Sequence, residues 1–144
     1  MAFTPVVDRK ARDKIRKLLH DVIDDKGGFN LAMIAQTSRE LPNRWTLIVS
    51  APWIDSLGSR SAVSYLSSKL ADYLDRNSLS AIDRISAISS REPLVESVWH
   101  SRRLYLNEPE VHMRNWRIGS WFISDGYLFV ADPEASSDAA PSST

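Results

Sequence analysis

The feature that most restricts the fold is a set of strand-like segments that are apolar on both faces. Near the C-terminus, Ile118 and Phe122 fall on one side of an extended chain, and Trp121 and Ile123 fall on the other. Residues 29–36 (FNLAMIAQ) show the same pattern. An antiparallel sheet with one face in water alternates apolar and polar residues. Both faces of this sheet therefore need a cover.

Two explanations of this double apolar surface are open. In the first, helices of the same chain pack on opposite faces of the sheet. In the second, a partner protein or a second copy covers one face, because large exposed apolar patches mark interaction sites. The second explanation predicts an oligomer or a complex in solution.

The residues before the first of these strands have the period of an amphipathic helix over residues 8–26. Its apolar stripe consists of Ile15, Leu18, Leu19, Val22 and Ile23. Asp8 is of a residue type that caps helix N-termini. Gly27 and Gly28 can end the helix, because glycine accepts the left-handed conformation that is common there.

The same rules assign the remaining elements. They predict a loop at 52–58, a helix at 60–76 capped by Ser59, a turn or one helical turn at 77–83, a helix at 92–102, and strands at 45–51, 84–89, 104–106, 111–115, 118–124 and 127–131. The strand at 84–89 follows a helix and is expected to lie parallel to a neighbour. Asp125-Gly126 is a strong short-range hairpin signal, so the last two strands are expected to pair across it.

Together these segments predict one α+β domain over residues 1–132. The expected sheet is mostly antiparallel, with about five to six strands and two to three helices in the rough order α-β-β-α-β-α-β-β-β. Residues 133–144 (PEASSDAAPSST) contain no large apolar side chain. We predict that they form a disordered, acidic and serine-rich tail.

Composition restricts the class of protein. The 144 residues are 43% hydrophobic and 25% charged, which is typical of a globular domain. The sequence has no cysteine, which excludes disulfides, thiolate metal sites and a cysteine nucleophile. No apolar run approaches the roughly 18–20 residues that span a bilayer, and the N-terminus lacks the order of a signal peptide. We expect a cytoplasmic protein without a membrane segment.

The sequence contains none of the common catalytic or cofactor motifs. It lacks a glycine-rich nucleotide loop, a His-Glu-x-x-His zinc helix and a Gly-x-Ser-x-Gly nucleophile turn. Glu96, His100 and His112 offer metal-ligand chemistry, but nothing in their spacing requires a site. We therefore predict neither a cofactor nor a metal.

One candidate pocket follows the strand at 45–51. Asp55 comes shortly after this strand, and Arg60 is close to it in sequence. Ligands favour strand ends and the loops beyond them. The simpler interpretation is that Asp55 makes a turn or an ion pair with Arg60.

The strongest binding pattern is the interleaving of tryptophan and arginine near residues 99–121. The candidate partner-binding residues are Trp99, Arg102, Arg103, Trp116, Arg117 and Trp121. Tryptophan and arginine are enriched at protein–protein hot spots. They also suit single-stranded nucleic acid, because aromatic faces stack on bases and guanidinium groups hold phosphates.

The leading hypothesis is a non-catalytic protein-interaction module, either an accessory subunit or a self-associating protein of a cytoplasmic complex. The alternative is a nucleic-acid-associated protein, of which a small nuclease is one form. It would bind nucleic acid through the basic first helix and the Arg/Trp-rich 99–117 segment. Eighteen basic residues balance eighteen acidic ones, whereas nucleic-acid binders usually carry a basic excess. A small-molecule enzyme built around Asp55 and Arg60 is the third class.

Overall fold

The computed structural model describes residues 7–36, 44–103, 109–118 and 120–132, and it excludes the side chains of residues 100–103. Within these ranges five helices and five strands follow one another. They are α1 (Arg9–Lys26), β1 (Leu31–Gln36), β2 (Trp45–Ser50), α2 (Pro52–Leu57), α3 (Ser59–Tyr73), α4 (Arg76–Ala81), β3 (Ile82–Ala87), α5 (Pro93–Arg103), β4 (Val111–Ile118) and β5 (Trp121–Ala131). Of the helices described, none has the length and apolar character needed to cross a membrane.

The strands form one sheet in the order β3-β2-β1-β5-β4. Strand β3 runs parallel to β2, and the other neighbours are antiparallel. This confirms the predicted α+β class and its mostly antiparallel sheet. It also confirms the parallel third strand, which follows from the helical connection between β2 and β3, since parallel neighbours need a long crossover.

The first helix begins and ends as predicted. The Asp8 carboxylate accepts a hydrogen bond from the Ala11 amide at 2.8 Å, which satisfies one of the free N–H groups of the first turn. At the other end Gly27 has a φ of 123°, and its N–H donates to the Ile23 carbonyl. A residue with a Cβ rarely adopts that φ.

The first core lies between one face of the sheet and helices α1 to α4. The helical residues buried in it are Ala11, Ile15, Leu18, Leu19, Val22, Trp53, Ile54, Ala62, Leu66, Leu70 and Ala81. Ala32 and Ile34 enter it from β1. Phe129 enters it from β5 and is 5% exposed.

The second core lies on the opposite face, under α5. The buried helical residues there are Leu94, Val95 and Val98. Ile123, which is completely buried, enters it from β5. The first of the two explanations for the apolar strands is therefore the one the structure shows, because helices of the same chain cover both faces.

The predicted Asp125-Gly126 hairpin is wrong. Both residues lie inside the continuous strand β5, and the pairing of β4 with β5 begins instead with Ile118 opposite Trp121. Glycine at position 126 serves close packing. A Cβ there would lie 3.1 Å from Ile123 Cγ2 and 3.1 Å from a backbone oxygen of β1, with Met113 Cε at 3.2 Å.

A local irregularity in β4 decides which of its side chains face the second core. Val111 and Met113 join this core, and so do Trp116 and Ile118 further along. Since side chains alternate along a strand, the odd spacing from 113 to 116 shifts the alternation by one residue. Asn115 lies at this point with a φ of 54°, in the left-handed region that asparagine tolerates better than most residues.

Four smaller predictions need correction or lie outside the described residues. The predicted loop at 52–58 contains the short helix α2. Gly58, at a φ of 98°, caps α3 in place of Ser59, because the chain turns sharply between the two helices. The predicted strand at 104–106 and the predicted tail at 133–144 lie outside the described residues.

Substitution at Gly126 separates the packing role from a turn role. Because space is short around its Cα, we expect Gly126→Ala to lower the free energy of unfolding by about 1–3 kcal/mol. Gly126→Asn should lower it further, because the larger side chain meets the same neighbours. A hairpin glycine behaves differently, since asparagine is favoured in such turns. Urea denaturation of the parent and the two variants measures their unfolding free energies. An asparagine variant as stable as the parent would contradict the packing role.

The contact between α1 and α3 predicts a loss of stability at high pH. The Tyr65 hydroxyl donates to Asp25 Oδ2 at 2.8 Å. Burial, followed by this hydrogen bond and the Asp25 charge, raises the pKa of Tyr65 from 10.0 to about 12. The folded state therefore favours the protonated phenol. Its contribution to stability is complete below the unfolded pKa and is lost as the pH rises from about 10 to about 12.

We expect the difference in unfolding free energy between the parent and Tyr65→Phe to shrink across this interval. Denaturation of both proteins at a series of pH values measures it. Curves that remain parallel across the interval would show that Tyr65 titrates normally.

Candidate protein-interaction surface at the outer strand

Three tryptophans from different elements lie at the periphery of the second core. Trp99 belongs to α5, Trp116 to β4 and Trp121 to β5, and each packs against this core while keeping part of its surface exposed. Ile118, in the same strand as Trp116, also packs against this core. We call these four residues the tryptophan rim. The structure therefore places on one core three predicted site residues that are separated by up to 22 positions in the sequence.

The polar atom of Trp121 is satisfied within the chain. Its indole Nε1 donates to Glu92 Oε1 at 3.1 Å, which ties the start of β5 to the residue before α5. Because the indole N–H already has its hydrogen-bond acceptor, the face of the ring remains as an apolar contact surface. The rim thus combines fixed ring positions with accessible apolar area.

The predicted arginines do not share the position of the tryptophans. Arg117 follows Trp116 directly in β4, so its side chain points to the opposite face. There it is exposed, and its guanidinium lies 5.5 Å from the centre of the Phe122 ring. Arg102 and Arg103 belong to the last turn of α5, and their side chains lie outside the described residues.

A polar cluster, which sequence reasoning did not find, joins α1 to the start of β4. Arg12 Nε donates to Glu110 Oε2 at 2.8 Å, and Arg16 Nη1 donates to Glu110 Oε1 at 2.5 Å. Arg16 also pairs with Asp13. The Arg12 guanidinium lies over the Tyr127 ring, 4.1 Å from its centre. Two arginines of the basic helix are therefore engaged inside the molecule.

His112 continues this cluster on the exposed side of β4. Its ring stacks on Tyr127 with centres 4.5 Å apart and planes 7° from parallel. Its Nε2 lies 2.6 Å from Asp125 Oδ1, and Arg114 Nε lies 3.4 Å from the same nitrogen. Within the described ranges no three metal-ligating side chains of the His, Cys, Asp or Glu type come together.

Asp55 and Arg60 lie on the other side of the sheet from the rim. Asp55 belongs to α2 and Arg60 to α3, and both are exposed. A cavity does open beside α2, but its described lining consists of Lys26, Trp53, Ser56 and Leu57. The two predicted residues are near this cavity in sequence without lining it.

Comparison with known proteins returned no match to a protein family, to a curated protein or to a solved structure. Any functional assignment therefore depends on the residues of this chain.

Replacement of Glu110 tests the link between α1 and β4. Glu110→Gln keeps the side-chain size but removes the charge that both arginines contact, so we expect unfolding free energy to fall by about 1–2 kcal/mol. Asp24→Asn, an exposed carboxylate on α1, is the matched control and should change it by less than about 0.5 kcal/mol. Urea denaturation measures both, and equal midpoints for Glu110→Gln and the parent would contradict the expectation.

Proposed function

We propose that this chain is a non-catalytic protein-interaction module that binds a short, extended, acidic segment of a partner protein. The binding surface consists of the outer strand β4 and the tryptophan rim. One observation carries the proposal: three tryptophans from three elements pack against the same core, and each retains exposed surface. This role suits an accessory subunit or an adaptor of a larger complex.

The chemistry of the rim supports protein binding. Tryptophan is the residue type most enriched at hot spots, where a few side chains supply most of the binding free energy. Here the rings are already held by the second core, and Trp121 is held by Glu92 as well. A preorganised ring loses little conformational entropy on binding.

The position of β4 supports an extended partner segment. It is the last strand of the sheet, and among the described strands it pairs only with β5. An unpaired strand edge offers backbone groups to an added strand. The left-handed residue Asn115 interrupts β4 near its middle, and such irregularities limit uncontrolled edge pairing. A short segment therefore fits better than a long strand.

Charge supports an acidic partner in preference to a second copy. His112, Arg114 and Arg117 are exposed along β4. Two copies paired through β4 in antiparallel fashion would bring these arginines close together, and like charges on facing strands are destabilising. Carboxylates on a partner segment would complement them.

Nucleic-acid binding remains the second candidate, but the described contacts favour it less. Arg12 and Arg16 share Glu110, which leaves fewer free cations for a phosphate backbone. The formal net charge of zero also argues against nucleic-acid binding, because such proteins usually carry a basic excess.

The proposal is tested in two stages with purified full-length protein. Proteins that co-purify from the source cell are identified by mass spectrometry, and acidic segments of each are synthesised as peptides. We expect one peptide to bind the parent. Trp99→Ala and Trp116→Ala should each weaken that binding by about 30-fold, which corresponds to the 2 kcal/mol typical of a hot spot.

Arg117→Glu provides a variant that does not depend on core packing, because its side chain is exposed. We expect it to weaken binding and to reduce the dependence on salt. Tyr73→Ala, a partly buried aromatic residue of α3 on the opposite face, is the matched control and should bind like the parent. Normal binding by both tryptophan variants would contradict the proposal. A shift of single-stranded oligonucleotides with a steep loss in salt would favour the nucleic-acid alternative.

A further inference from the structure

A cavity of about 390 Å³ opens beside α2. Helix α2 begins directly after β2, so the cavity lies near the carboxyl end of a strand that has a parallel neighbour. Ligands in sheet proteins commonly bind beyond the carboxyl ends of such strands. The cavity is open to solvent rather than enclosed. Its place and volume suit a small ligand, since small-molecule sites have volumes of roughly 300–1,000 Å³.

The first feature of the cavity is an unpaired indole. Trp53 lines it, is 6% exposed, and its buried Nε1 has no hydrogen-bond acceptor among the described residues. Its ring contacts Phe29 and Tyr65 edge to face, with centres 5.7 and 6.0 Å apart. Because Nε1 itself has almost no exposed surface, a ligand in the cavity would contact the face of the indole ring rather than this nitrogen.

The second feature is a cation without a carboxylate partner. Lys26 lines the cavity, and its ammonium lies 5.0 Å from the centre of the Tyr65 ring. No ion pair joins Lys26 to an acidic side chain in the described part of the chain. The neighbouring Asp25 accepts the Tyr65 hydroxyl instead. The ammonium is therefore placed to meet an incoming anion.

The third feature is an apolar wall. Leu57 lines the cavity and is 45% exposed, and it is the one large apolar side chain among the described residues that is exposed to this degree. Ser56 adds a hydroxyl group that can donate or accept. A cation, a hydroxyl group, an indole ring and an apolar wall thus line one space.

We infer that this cavity binds a small carboxylic acid that carries an apolar tail. Lys26 and Ser56 hold the carboxylate, and the tail lies against Leu57 and the Trp53 ring. The site is independent of the proposed interaction surface, because Trp53 belongs to the first core and the tryptophan rim to the second. It is not the predicted Asp55–Arg60 pocket, because neither of those two residues belongs to its described lining.

The test uses phenylacetate as the probe and the indole N–H signals of the full-length protein in a nitrogen–proton correlation spectrum. Trp53→Phe identifies the Trp53 signal. We expect phenylacetate to shift this signal saturably. Phenylacetamide lacks the charge and acetate lacks the tail, so each should bind at least about tenfold more weakly.

Two lysines provide a matched pair of variants. Lys26→Gln should weaken phenylacetate binding by about tenfold or more. Lys69 has its ammonium 5.6 Å from the centre of the same Tyr65 ring, but it does not line the cavity, so Lys69→Gln should bind like the parent. The inference is overturned if phenylacetate leaves the Trp53 signal in place, if the amide binds as tightly as the acid, or if both lysine variants bind equally.

Discussion

The structure depends on the burial of β1 on both of its faces. Leu31 and Met33 point into the second core, Ala32 and Ile34 point into the first, and all four are completely buried. A central strand of this kind is stable only when both faces of the sheet exclude water, because each large apolar side chain gains about 1.5–3 kcal/mol on burial. Helices on both sides are a consequence of this one strand.

The two faces of the sheet are covered by different numbers of helices, and this difference creates the candidate surface. Helices α1 to α4 all contribute to the first core, whereas α5 alone contributes helical residues to the second. A single helix protects the centre of a sheet better than its margin. The outer strand β4 and the start of β5 lie at that margin, where Trp116 and Trp121 are left half-covered. The proposed binding surface is therefore a consequence of how the sheet is covered.

Local signals predicted most elements, and they failed where distant residues decide the conformation. The stripe and caps of α1 depend on neighbours within one or two turns, and they were predicted correctly. Asp125-Gly126 has the same local signal as a hairpin turn, yet it lies inside β5. Two of the three closest contacts come from β1 and from Met113. Both contacting residues are far from Gly126 in the sequence, so a local pattern does not reveal them.

The sequence by itself determined the α+β class, the first helix and the two apolar faces, because hydrophobic periods of 3.6 and 2 residues express which side of an element is buried. It also singled out the three tryptophans. Only the tertiary structure decided that they pack against one core, that Glu110 engages two arginines of α1, and that Lys26 and Leu57 line one cavity with Trp53. The reason is that these groups come from separate elements, and their distances are set by how the helices pack on the sheet.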